Sequence, residues 1–344
     1  STALVACSED TSSSSDSSGS SEGSGVAGEL VGEGASSQQN AMSYFQTAFS
    51  EDHPDASLSY NASGSGAGVE AFTNGQADFA GSDSALNPDK GEVDKAKATC
   101  GADAWHLPLA AGPIAVVYNV DGVSKLNLKT ETLAKIFAGQ IKKWDDEAIK
   151  SENEGVDLPD EKIQVIYRSD ESGTSDNFQK FLSAASDGRW ESSGKAFPQA
   201  VGAGANGSTG VAEQVKAIPG AITYVEAGFA DQAANIDFGN GPVELNEETV
   251  GNALDGLEFK TEGHNMVVDA AKLFAMDGAD TYPLILTTYE IVCSAGYDDQ
   301  TRDMVKDFLT VALDSQDEEL ASEGFIPVSG AHADRLREAV NAIS

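Results

Sequence analysis

Three patterns in this 344-residue chain predict an α/β fold of two lobes. Short apolar stretches rich in strand formers alternate with amphipathic stretches, at the spacing of strand-helix units on a mostly parallel sheet. Two long, nearly continuous apolar runs, HLPLAAGPIAVVYNV from His106 and YPLILTTYEIVCSAG at 282–296, read as buried strands placed where two connections between lobes belong. Three turns built from glycine and serine each stand between a strand and a helix. The 40% hydrophobic content is sufficient for a packed core in each lobe.

Ordered structure is expected from Val26. GELVGEG reads as a strand, and the helix after its turn carries Met42, Phe45 and Phe49 at helical spacing. Ala56 to Tyr60 is a second strand, followed by the turn NASGSGAG, the helix VEAFTNGQ and the strand ADFAGSD, which ends at Asp83. The first long apolar run follows. Between it and the second lie the helix TETLAKIFAGQI, the strand KIQVIYR, the turn SDESGTSD, the helix NFQKFLSAA and the strand AITYVE. Helices from Asp299 to Leu313 and from Ala331 to Ile343 close the chain.

Aspartate and glutamate outnumber lysine and arginine 56 to 21, a formal charge of −35, which argues against nucleic acid or an anionic membrane surface as partner. Any anion site must therefore create its own positive potential locally. No run of about 18 or more apolar residues occurs, the length that a membrane-spanning helix needs. At the N-terminus, Leu4-Val5-Ala6-Cys7 resembles the lipobox of a bacterial lipoprotein signal peptide, in which the cysteine is acylated. Residues 1–7 are thus expected to be a signal-peptide remnant with its lipidation site, and residues 8–25, nearly all Ser, Gly, Asp and Glu, a flexible tether.

Cys100 and Cys293 remain. In an exported protein an even pair is more often a disulfide than a reactive site. Cys100 precedes Pro108 and Cys293 follows Pro283 at similar distances, so antiparallel strands crossing one hinge would bring them to similar depth. The four histidines are scattered and show no ligand spacing, so neither a metal nor another cofactor is expected.

The three turns lie around Ser36, Ser65 and Ser172. The first turn of a helix holds unpaired N–H groups at the positive end of its dipole, which suits an anion. Each serine is equally an ordinary helix cap, and local sequence does not choose between the two. Arg168 ends a strand just before the third turn, where its guanidinium could fork onto an oxyanion or form a surface ion pair with Asp170. A catalytic role finds no support: no GxSxG surrounds Ser65 and no histidine stands near a turn. GANGSTG at 204–210 is similar to a P-loop but lacks its lysine.

The blocks VGEGASSQQNAMSYF, YNASGSGAGVEAFTNGQADFAGSDSAL, LAAGPIAVVYNV, LAKIFAGQIKKWDDEAI, YRSDESGTSDNF and IPGAITYVE, in this order and spacing, resemble the PstS family of phosphate-binding proteins of bacterial ABC importers. The likeness runs from Val26 to the C-terminus. In the first turn, Ser37 and Gln38 stand where the family usually has an aromatic residue or leucine and then often proline.

The resemblance implies the type II periplasmic-binding-protein fold, with lobe I formed by 26–108 plus 280–344, lobe II by 109–279, and a two-strand hinge. It implies that Ser36 (hydroxyl), Ser37 (backbone N–H), Ser65, Asp83, Arg168, Ser172, Gly173 and Thr174 bind inorganic phosphate, with Asp170 supporting Arg168. Asp83 would accept the proton that phosphate carries and sulfate lacks. Trp144 reads as packing. A monomeric receptor follows, held by lipid on Cys7 at the extracytoplasmic face of the cell membrane and serving the permease subunits of an ABC transporter. A receptor for another protonated oxyanion such as arsenate, or an envelope scaffold with a relict pocket, is the alternative.

Overall fold

The computed structural model describes residues 25–344, so the lipidation expected at Cys7 and nearly all of the tether lie outside it. The strands are β1 (Gly28–Gly34), β2 (Ala56–Asn61), β3 (Phe79–Ser82), β4 (Ala104–Tyr118), β5 (Asn127–Lys129), β6 (Gln164–Arg168), β7 (Ala203–Ala205), β8 (Ala221–Glu226), β9 (Asn235–Asp237), β10 (Pro242–Val243) and β11 (Ile285–Cys293). Eight of them form one mixed sheet in the order β2-β1-β3-β11-β4-β8-β6-β7, and β10-β9-β5 form a small second sheet.

Two parallel triads, β2-β1-β3 and β8-β6-β7, flank a central antiparallel pair, β11 and β4. β4 joins the halves by changing partner along its length. Ala104 to Pro113 pair with β11, and Ile114 to Tyr118 pair with β8. The strand is buried from His106 onward, which explains why its sequence shows no alternation of apolar and polar residues.

The cores divide along the same line. Leu107, Leu109 and Ala110 pack with Phe45, Phe49 and Phe308, whereas Ala111, Ile114 and Val116 pack with Phe137, Trp144 and Phe178. Two lobes result, with the handover a few residues beyond Pro108. One stretch counted with lobe II by sequence lies against the other lobe. Met266 is buried in the cluster of Leu107 and Phe308, and its N–H donates to His106 O at 3.0 Å. Phe259 pairs with Val268 in the same short hairpin. Nothing periodic marks this hairpin in the sequence, because its burial depends on long-range contacts.

Met42, Phe45 and Phe49 line the buried face of the helix Gln39–Asp52, as their spacing predicts. The helix Thr130–Phe137 stops short of the expected Ile141, where Gly139 takes a φ of +75°. Helices Glu92–Cys100 and Gly207–Ala217 were not anticipated; the first buries only Ala96 and Cys100, too narrow a face to show as a period. Cys100 and Cys293 form the expected disulfide, which closes a span of 193 residues. Trp144 is fully buried and donates its indole N–H to Gly220 O at 2.9 Å, a packing role.

Candidate functional site

Four helix starts meet at the carboxyl ends of the parallel strands, where open α/β sheets characteristically bind ligands. After β1 the chain turns through Ser36–Gln38 into the helix Gln39–Asp52; after β2, Ser65 opens the helix Ser65–Thr73. After β6, Ser172 caps the helix Gly173–Ala185, and after β7, Asn206 directly precedes the helix Gly207–Ala217 without a side-chain cap. The first two belong to one lobe and the last two to the other. The sequence-predicted residues Ser36, Ser37, Ser65, Asp83, Arg168, Ser172, Gly173 and Thr174 all come together here, buried.

The hydroxyl groups are oriented by what they accept. Ser36 Oγ accepts from Ser208 N at 3.2 Å, Ser65 Oγ from Asp83 N at 3.0 Å and Ser172 Oγ from Ser175 N at 3.1 Å. Ser65 and Ser172 therefore keep their own protons to donate elsewhere, whereas Ser36 Oγ also shares with Ser208 Oγ a 3.0 Å hydrogen bond in which either oxygen can donate. Capping and ligand binding, competing readings in the sequence, are compatible at Ser172: the oxygen caps its helix and the proton remains available.

Asp83 follows β3 and sits among donors. Ser37 Oγ donates to both carboxylate oxygens, at 2.8 and 2.9 Å, and Thr174 Oγ1 donates to Oδ2 at 3.0 Å. Asn177 Nδ2 holds the Asp83 carbonyl at 2.5 Å. Burial raises the Asp83 pKa above the ordinary carboxylate value, against hydrogen bonds from Thr288, Ser37 and Thr174 and the charge of Arg168. Ser37 thus contributes its side chain to the carboxylate, in addition to any role of its N–H. Thr174 and Asp83 come from opposite lobes, so this hydrogen bond spans the cleft.

Arg168 is buried at the end of β6. Its Nε and Nη2 donate to the two Asp170 oxygens at 2.8 and 2.6 Å, which leaves Nη1 facing Ser208 Oγ at 3.5 Å. Burial pulls the Asp170 carboxyl upward, but the Arg168 hydrogen bonds and charge, with the Gly207 N–H, hold it below its ordinary value. The arrangement suits a tetrahedral oxyanion: oriented O–H and N–H dipoles, one aimed guanidinium and one carboxylate that tests for a proton on the ligand.

Gly173 permits the close approach of the lobes. A Cβ there would lie 2.5 Å from both Asp83 Cβ and Ser65 Oγ. Ser208 was passed over by sequence reasoning, although its Oγ lies 3.0 Å from Ser36 Oγ across the cleft. The signal was available in GANGSTG, another glycine-serine turn between strand and helix; comparison with a P-loop hid it. Behind Asp83, a cavity of about 550 Å³ between the lobes is lined by Asn177, Trp190, Lys260 and Tyr289, among others. It is far too roomy to hold a single tetrahedral anion by itself.

Known proteins resemble this chain in sequence and in fold. A family model described as PBP superfamily domain matches residues 19–316. The phosphate-binding protein PstS2 of Mycobacterium bovis (strain BCG / Pasteur 1173P2) is 43% identical over 351 residues, covering 99% of this chain and 95% of that protein. The phosphate-binding protein PstS 3 of Mycobacterium tuberculosis (strain ATCC 25618 / H37Rv) is 42% identical over 322 residues, covering 92% of this chain and 86% of that one. Among solved structures, the phosphate binding protein of Stenotrophomonas maltophilia superposes with a TM-score of 0.67 at 22% identity, covering 90% of this chain and 93% of that one.

Proposed function

The chain belongs to the PstS family of phosphate-binding proteins, within the PBP superfamily, and from that membership we propose that it captures inorganic phosphate between its lobes and delivers it to an ABC permease, catalysing no reaction. Ser36, Ser65 and Ser172 donate hydroxyl protons to the ligand. Ser37, Gly173 and Thr174 present backbone N–H groups of helix starts, and Arg168, braced by Asp170, supplies the positive charge. Ser208 joins this set from the fourth helix.

One observation carries the reading: a buried carboxylate, Asp83, stands among groups otherwise built to donate to an anion. Phosphate near neutral pH keeps a proton to give it, and sulfate does not. A sulfate ion would leave Asp83 facing a like charge with no hydrogen bond between them, a mismatch of the kind that discriminates by roughly 10⁴-fold or more.

The lobes, 26–108 with 280–344 and 109–279 apart from the hairpin around Met266, close on the ligand as a hinge about β4 and β11. Lipid on Cys7 and the tether at 8–25 hold the monomer at the extracytoplasmic face of the membrane, near its permease. Among the described residues no helix is long and apolar enough to cross a membrane.

Calorimetric titration of the ligand-stripped protein tests the reading. One-to-one binding of phosphate with no heat from sulfate is expected. No phosphate heat, together with an unchanged melting temperature, would overturn it. Arsenate, protonated like phosphate, is expected to compete.

A further inference from the structure

Ser36, Ser65, Arg168 and Thr174 are all buried in the closed arrangement, so an ion held among them leaves only when the lobes part. The lifetime of the closed form therefore depends on every contact between the lobes, including those outside the ligand site. One of these joins Ser84 of the first lobe to Asp176 of the second, with Ser84 Oγ donating to Asp176 Oδ2 at 2.5 Å. Both residues are buried, 5% and 7% exposed.

Local structure fixes both ends of this bond. Ser84 follows Asp83 in the turn after β3, where Ser82 Oγ accepts from the Ser84 N–H at 3.2 Å and donates to the Ser84 carbonyl at 2.6 Å. The turn is tied by its backbone, and the Ser84 hydroxyl is left to reach the other lobe. Asp176 lies in the first turn of the helix Gly173–Ala185, where the positive end of the helix dipole favours its charge. The next residue grips the same turn. Asn177 Nδ2 donates to Asp83 O across the cleft and to Gly173 O at 2.9 Å within its own helix.

Other polar contacts cross the cleft as well. Gln39 Nε2 donates to Thr209 Oγ1 at 2.8 Å, but both groups are neutral and the bond is exposed to water. Lys195 Nζ stands 3.9 Å from Glu92 Oε2, too far for a hydrogen bond. The bond between Ser84 and Asp176 is short, buried and charge-assisted, the kind that contributes most. It is also releasable. Lys180 Nζ lies 3.0 Å from the same Asp176 oxygen, one turn along the same helix, with its side chain 47% exposed. When the lobes part, Asp176 keeps Lys180 and gains water, so opening strands no charge.

We propose that Ser84 and Asp176 form a clasp that sets how long phosphate stays bound, although neither is among the groups that receive the ion. This rests on the phosphate reading above and adds residues that govern release to those that recognise the ligand. Capture takes place on the open form, in which the two side chains are apart, and closure then makes the bond. Its loss should raise the dissociation rate and leave the association rate nearly unchanged, the usual division among variants of one complex.

A rapid-mixing chase tests this, in which labelled phosphate on the protein is displaced by an excess of unlabelled phosphate. Ser84→Ala is expected to release phosphate roughly tenfold faster, the order of one charge-assisted hydrogen bond, with an unchanged melting temperature for the ligand-free protein. Asp176→Ala should have the same effect on release, and the double variant should add nothing further, because the two residues share one bond. Ser84→Thr keeps the hydroxyl and should restore slow release. Release as slow in S84A as in the wild type would overturn the proposal, and so would effects that multiply in the double variant. If D176A does not fold, the comparison of S84A with S84T decides. A wild type that binds no phosphate would sink the phosphate reading and the clasp with it, whereas one that binds phosphate and releases it at the S84A rate would sink the clasp alone.

Discussion

Arg168 and Asp170 form a two-armed ion pair across a single intervening residue, Nε to Oδ1 at 2.8 Å and Nη2 to Oδ2 at 2.6 Å, with the Arg168 side chain only 3% exposed. The pair aims the remaining guanidinium nitrogen into the cleft, toward Ser208. The Gly207 N–H donates to the same Asp170 oxygen at 3.1 Å, so the third and fourth helix starts share one brace.

If that brace sets the pose of the guanidinium, Asp170→Asn should weaken phosphate binding by roughly tenfold, the order of one charge-assisted hydrogen bond. Titration calorimetry at neutral pH measures it. An unchanged affinity would mean that burial alone holds Arg168 in place.

Asp83→Asn replaces an acceptor with a group that can also donate. Sulfate binding should become measurable, and the preference for phosphate over sulfate should shrink by about 100-fold or more. Competition between the two anions, followed by calorimetry, reads the ratio directly. A variant that still excludes sulfate would place the filter elsewhere in the site.

Gly173→Ala should separate closure from folding. In the closed arrangement its methyl group would stand 2.5 Å from Asp83 Cβ, on the opposite lobe. In an open form it would meet no such neighbour, and alanine is the better helix residue. We expect phosphate affinity to fall at least tenfold, an order set by overpacking costs, while the ligand-free melting temperature does not drop. Thermal melts with and without phosphate give both quantities.

The Cys100–Cys293 bridge joins the end of the helix Glu92–Cys100 to the end of β11 in one lobe, although the loop between them includes the other lobe. Its removal should cost about 2–5 kcal/mol of stability through the freedom regained by the unfolded chain. Denaturant unfolding of the Cys100→Ala/Cys293→Ala protein measures it, and phosphate affinity should change little, because neither cysteine lines the site.

Local chemistry made much of this protein legible from sequence. Met42, Phe45 and Phe49 announce a buried helix face, the two apolar runs announce β4 and β11, and glycine-serine turns after strands mark the helix starts at Ser36, Ser65 and Ser172. Such signals lie within a few residues of one another and need no knowledge of the rest of the chain. The likeness to PstS proteins then ordered these turns around one ligand. Tertiary structure alone decided what the turns share. Ser36 meets Ser208 from 172 residues away, and Thr174 reaches Asp83 from 91. Likewise, Gln38 reads locally as an unremarkable polar residue near a helix start, yet folding buries it against Thr288 and Tyr289, some 250 residues away. A serine before a helix has the same neighbours in sequence whether it caps that helix or also serves a ligand, and the free proton that separates the two roles is assigned by partners that only folding brings near.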